Sequence, residues 1–102
     1  MVGRTIYTPE HQLLATLLRE VRAEAGLRQV DVAAAMARTQ SFVSDYESGQ
    51  RRLDLVELRA LCGVLGTTLP ALVARYEAVV GELEAEHPGP ALDPGTARRR
   101  RG

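Results

Sequence analysis

The chain has 102 residues, 45% of them hydrophobic, which suits one small domain around a single core and leaves no room for a second. Thirteen arginines, with no lysine, cancel 13 acidic residues, so bulk positive charge does not mark a nucleic-acid binder, although neutrality does not exclude one. A solitary Cys62 excludes an internal disulfide, paired cysteines or histidines for zinc are missing, and no apolar run approaches the ~20 residues of a membrane span.

In chain order, Thr8 and Pro9 open a helix in which Leu13, Leu14, Leu17, Leu18, Val21 and Ala25 recur at helical spacing until Gly26. A short second helix is expected over Gln29 to Ala37, and the turn at Arg38 and Thr39 leads into a third over Gln40 to Ser48. Asp54 and Glu57 form an acidic variant of a capping box before Leu55, Leu58, Leu61, Cys62 and Leu65, a fourth helix closed by Gly66. Thr68 caps a fifth through Leu72, Val73, Tyr76, Val79, Val80 and Leu83, in which Gly81 costs ~1 kcal/mol and favours a bend or fraying. From His87 onward Pro88, Gly89, Pro90, Pro94 and Gly95 oppose regular structure, so a flexible tail ending in Arg98 to Arg101 is expected.

The stretch from Arg38 to Leu58 carries the chemistry. Thr39 can cap a helix whose polar side exposes Gln40, Ser41 and Ser44, while Val43 and Tyr46 share the opposite, apolar side. Glutamine and serine can hydrogen-bond base edges in a major groove, and the glutamine amide matches N6 and N7 of adenine. Gly49 supplies a left-handed stop, after which Gln50, Arg51 and Arg52 stand where a chain leaving the groove meets phosphate. The bland reading of the polar face is a merely solvated surface; that of the arginines is ordinary exposed charge. Phe42 either packs near the start of the fourth helix or touches a thymine methyl, and packing is favoured because isolated aromatics usually bury area.

From Leu13 to Leu72 the chain resembles the lambda-repressor-like helix-turn-helix family (Cro, 434 repressor, XRE). Gln29 and Gln40 match its glutamine opening the second helix and the recognition residue eleven positions later, and Ala33 matches its small fifth helix-turn-helix residue. Leu27, Val32, Met36, Val43 and Tyr46 fill its apolar positions, and Tyr46-Glu47-Ser48-Gly49 resembles its hydrophobic-Glu-x-Gly ending. The resemblance implies an all-α, five-helix domain with an extended fifth helix and a double-stranded DNA partner read by Gln40, Ser41, Ser44 and Asp45. Gln29, Arg38, Thr39, Gln50, Arg51 and Arg52 would meet phosphate. It also implies an ion pair, Arg22 with Glu47, orienting the reading head. Two departures stand out. Asp45 occupies a position often basic or glutamine, where a carboxylate repels phosphate; it can accept from cytosine N4 or pair with Arg51 or Arg52, and the intraprotein pair is favoured. Ala37 replaces a frequent turn glycine, so a left-handed backbone there would be strained.

The expected organisation is an amino-terminal arm (1–8), a DNA-binding domain (9–80), a helix-five extension (81–87) and a flexible tail (88–102). One recognition helix reads few base pairs, so a homodimer on an inverted repeat is expected, with Leu72, Tyr76, Val79 and Leu83 as the candidate interface. The alternative for that stripe is packing against helix one. Arginines and acids number seven and six in 1–53, two and six in 54–87, and four and one in 88–102, so net charges of +1, −4 and +3 place the acidic excess on helices four and five. The acidic excess and Asp45 favour a second reading, a protein-interaction module such as an antitoxin or adaptor. His11, His87 and scattered carboxylates form no convergent catalytic set, so neither an enzyme nor a cofactor or small-molecule substrate is expected. With no signal-like segment, a cytoplasmic protein without a membrane partner is expected.

Overall fold

A computed structural model describes residues 8–86. Five helices follow one another: α1 (Pro9–Glu24), α2 (Gln29–Ala35), α3 (Gln40–Glu47), α4 (Leu55–Val64) and α5 (Leu69–Glu86). The starts are capped by short-range chemistry. Thr8 Oγ1 accepts the His11 N–H at 3.2 Å, Thr39 Oγ1 that of Phe42 at 3.3 Å, and Thr68 Oγ1 that of Ala71 at 3.2 Å. At α4 the box is reciprocal: Asp54 accepts from Glu57 N at 2.7 Å, and Glu57 Oε1 from Asp54 N at 2.9 Å.

The core draws on every helix, with Leu17, Leu18 and Val21 of α1, Val32 and Ala33 of α2, Phe42, Val43 and Tyr46 of α3, Leu61 and Cys62 of α4, and Leu72 of α5 all buried. Burial also raises the Cys62 thiol pKa above its ordinary value. α3 lies against α2 and α1, while α5 packs across α1 and α4. That arrangement pins the apolar side of α3 and turns its polar side outward.

Two expectations require correction. α2 ends at Ala35 rather than Ala37, because Ala37 takes the left-handed conformation (φ +57°) and the Arg38 N–H turns back to the Ala33 carbonyl at 2.9 Å. The turn therefore keeps the left-handed geometry in spite of its side chain. Leu72, placed in a dimer stripe by its spacing, is buried in the protein's own core at 1% exposure, so it has no area left for a partner. α5 runs through Gly81 to Glu86. Among the described residues no single helix is long and apolar enough to cross a membrane. The expected arm before Thr8 and the tail with Arg98 to Arg101 lie outside the described residues.

Candidate nucleic-acid interface

The candidate site is built on α3, whose sequence alternates two faces. Gln40, Ser41, Ser44 and Asp45 are exposed, while Phe42, Val43, Tyr46 and Glu47 are buried. Its amino end is fixed by the Thr39 cap. At its carboxyl end Gly49 (φ +87°) reverses the chain, and the amides of Gln50 and Arg51 return to the Asp45 carbonyl at 2.9 and 3.2 Å. Glycine suits position 49 because φ of +87° strains other residues, and a Cβ there would also push aside the Gln12 side-chain amide, whose nitrogen would lie 2.3 Å away.

Behind the exposed face runs a polar chain. Arg22 Nε donates to Glu47 Oε2 at 2.6 Å and its Nη2 to Glu47 Oε1 at 3.0 Å, a bidentate pair whose side chains are 16% and 3% exposed. The hydrogen bond to Glu47 raises the Arg22 pKa above its ordinary value. Removing one partner of such a buried pair costs ~3 to 5 kcal/mol, because the other charge is left without compensation. The same Glu47 Oε1 accepts from Gln29 Nε2 at 3.0 Å, and Gln29 Oε1 accepts from Gln40 Nε2 at 3.2 Å. Each acceptor thus sets the orientation of the next amide. With Nε2 turned toward Gln29, Gln40 keeps its oxygen and one N–H free, which is the donor and acceptor pair that an adenine edge requires.

The flanking cations are arranged differently from the sequence expectation. Arg51 does not pair with Asp45: its Nη2 donates to Glu57 Oε2 at 2.8 Å, and Arg38 Nη1 reaches the same oxygen at 3.4 Å. Glu57 prevails because the α4 cap holds it in place, and neither Asp45 nor Arg52 has an ion pair among the described residues. The backbone N–H of Asp54 and, beyond it, the two arginines hold the Glu57 carboxyl below the usual carboxylate pKa. Phe42 is buried, meets Tyr46 edge-on at 5.5 Å, and has the guanidinium carbons of Arg38 and Arg51 at 3.9 and 4.9 Å from its ring centre. Packing is therefore its role, and it is unavailable to a thymine methyl.

Gln50 and Arg52 are exposed beside this cluster. His11, which carries no local signal in the sequence, is also part of the frame. Its Nε2–H donates to the Gly49 carbonyl at 3.2 Å, tying the start of α1 to the end of α3. Burial, and then the charge of Arg52, lower its pKa below the ordinary 6.5. No cluster of metal-ligating side chains occurs among the described residues.

An exposed polar helix held on a bihelical frame and flanked by arginines is how a reading head is built, and the family model described as "Helix-turn-helix domain" matches residues 13–76. The chain belongs to the XRE-type helix-turn-helix family of DNA-binding transcriptional regulators. It is similar to an XRE-family-like protein from Pseudomonas syringae pv. tomato, with 41% identity over 76% of this chain and 95% of that one and a TM-score of 0.67. The fold is shared with the clp gene regulator ClgR of Corynebacterium glutamicum, at 21% identity over 70% and 91% of the two chains and a TM-score of 0.64. It is also shared with a point mutant of the restriction-modification controller protein C.Esp1396I, at 18% identity over 72% and 92% and a TM-score of 0.67. No curated protein sequence matches the chain. Within the XRE-type frame α2 and α3 are the first and second helices of the helix-turn-helix.

Proposed function

We propose that the protein is a cytoplasmic, sequence-specific transcriptional repressor that reads the major groove of double-stranded DNA with α3, as a two-fold dimer on an inverted repeat. The observation that carries this reading is the chain from Glu47 through Gln29 to Gln40, which fixes the amide of an exposed residue at the amino end of α3. Gln40, Ser41, Ser44 and Asp45 address base edges. Gln29, through the amide end of α2, and Thr39, Arg38, Gln50, Arg51 and Arg52 address phosphates on either side. Gln40 provides the main discrimination, since a good bidentate contact is worth ~1 to 3 kcal/mol.

Selection of bound sequences from a random duplex library at physiological salt tests this reading, with Gln40→Ala carried in parallel. An enriched inverted repeat that the variant no longer recovers is expected. No enrichment by a folded wild type defeats it.

A protein-interaction module is the second reading. It is favoured by Leu55 and Val56, adjacent on α4 and 67% and 79% exposed, and by the carboxylate of Asp45 in the middle of the polar face. Salt separates the two, because DNA affinity falls steeply with salt when arginines displace counterions.

A further inference from the structure

Arg38 and Arg51 come from opposite ends of α3, one from the turn before it and one from the loop after it, yet both guanidinium groups converge on Glu57 Oε2. The carboxylate is itself immobilised, because its other oxygen accepts the Asp54 N–H in the α4 cap. Ionised carboxylates are favoured in the first turn of a helix. Both arginine side chains remain partly open to solvent, at 38% and 39% exposure. They are therefore within reach of phosphate and already held by an acid.

We propose that Glu57 is a specificity-determining positioning residue: it holds Arg38 and Arg51 in an internal clamp with one orientation, so that a phosphate lying in that orientation meets their remaining N–H groups, whereas one lying elsewhere has to draw the arginine off the carboxylate. The proposal rests on the DNA-binding reading above. On a random duplex, exchanging a carboxylate partner for a phosphate partner gains little, so the sequence-independent part of affinity stays low. On a matched site, the base contacts of the Gln40 face fix the one register in which both arginines meet phosphate without leaving Glu57. Arg38, held at 3.4 Å, and Arg51, held at 2.8 Å, then offer phosphate the exposed N–H groups that Glu57 does not use. The clamp lets a chain of zero net charge discriminate between sequences by suppressing its weakest discriminator, attraction to the backbone.

Glu57→Gln is the test, since the amide oxygen can still accept the Asp54 N–H while the negative charge is lost. Affinity of the full chain is measured over a salt series for the duplex recovered by selection and for a scrambled duplex. Affinity for the scrambled duplex should rise on the order of tenfold, with a log–log salt slope steeper by about 0.9 for each arginine newly on phosphate. Affinity for the recovered site should rise less, so the preference falls. Unchanged preference and slope in a folded variant overturn the clamp, and so does weaker binding to both duplexes, since freed arginines should strengthen binding to the scrambled one. In an Arg38→Ala background the gain from Glu57→Gln should shrink; a full-sized gain there overturns the route through Arg38. If Glu57→Gln fails to fold, Glu57→Asp keeps the charge while shortening the arm, and should shift preference and slope in the same direction by less. A wild type that binds neither duplex refutes the DNA reading itself, and the clamp with it.

Discussion

Ala37 holds a backbone conformation that three glycines hold elsewhere in the chain: φ is +57° at Ala37 and +75°, +87° and +78° at Gly26, Gly49 and Gly66. A left-handed non-glycine residue costs roughly 1 to 2 kcal/mol, and the extra freedom of an unfolded glycine offsets about half of that. Ala37→Gly should therefore stabilise the protein by about 0.5 to 1 kcal/mol, raising Tm by a few degrees in a calorimetric scan. A lower Tm would show that the turn carries no strain. Tyr46 poses the opposite problem: its ring fills the core at 2% exposure, but its hydroxyl is buried without a hydrogen-bond partner among the described residues. Burial, and then the neighbouring Glu47, push its pKa well above 10. An unsatisfied buried hydroxyl costs ~1 to 3 kcal/mol, so Tyr46→Phe should be as stable as the wild type or more so, by up to about 1 kcal/mol in urea unfolding. A loss larger than that would reveal a partner for the hydroxyl.

At the scale of elements, what was legible in the sequence was what three-residue spacing encodes. Thr39, Asp54 with Glu57, and Thr68 cap the helices they were expected to cap, and Gly26, Gly49 and Gly66 follow the ends of theirs. The end of α2 was not legible, because Ala33 to Ala37 offers a run of helix formers with no local stop. There the packing of α3 across α2 overrides propensity. Glu57 read as half of a cap, although its second oxygen organises two arginines distant in sequence. His11 read as an isolated histidine. Its bond to the Gly49 carbonyl links α1 to the end of α3 across 38 positions, which no periodicity reveals. That link has a pH signature. Burial, followed by Arg52, holds the folded pKa below 6.5, so the unfolded chain binds the proton more tightly. The His11 contribution is fully present above about pH 6.5 and is lost as pH falls through the folded pKa. Melting followed from about pH 7.5 down to about pH 5.5 should therefore show a larger fall in Tm for wild type than for His11→Gln. Parallel curves would mean that the ring titrates alike in both states.

For the whole molecule, the open question is how one small reading head acquires enough specificity, and the arrangement of α5 bears on it. With Leu72 in the core, and with Tyr76 packed against the core and donating from its hydroxyl to the Glu10 carbonyl at 3.4 Å, the first half of α5 belongs to its own fold. The Arg75–Glu24 ion pair at 2.8 Å fastens the same half to α1. What remains for a second copy is the later part of the expected stripe, Val79 and Leu83, both only partly buried, together with whatever Tyr76 leaves open. Val79→Glu adds a charge to an already acidic helix at the centre of that surface, with little disturbance to the core. The variant should sediment as a monomer at concentrations where the dimer proposed for the wild type is expected. On the selected inverted repeat its affinity should fall at least about tenfold, because two coupled half-sites become independent ones, while binding to a single half-site should be unchanged. A wild type that is monomeric at high micromolar concentration removes the dimer. A Val79→Glu protein that stays dimeric instead moves the interface off α5, with the exposed Leu55 and Val56 of α4 as the next surface to substitute.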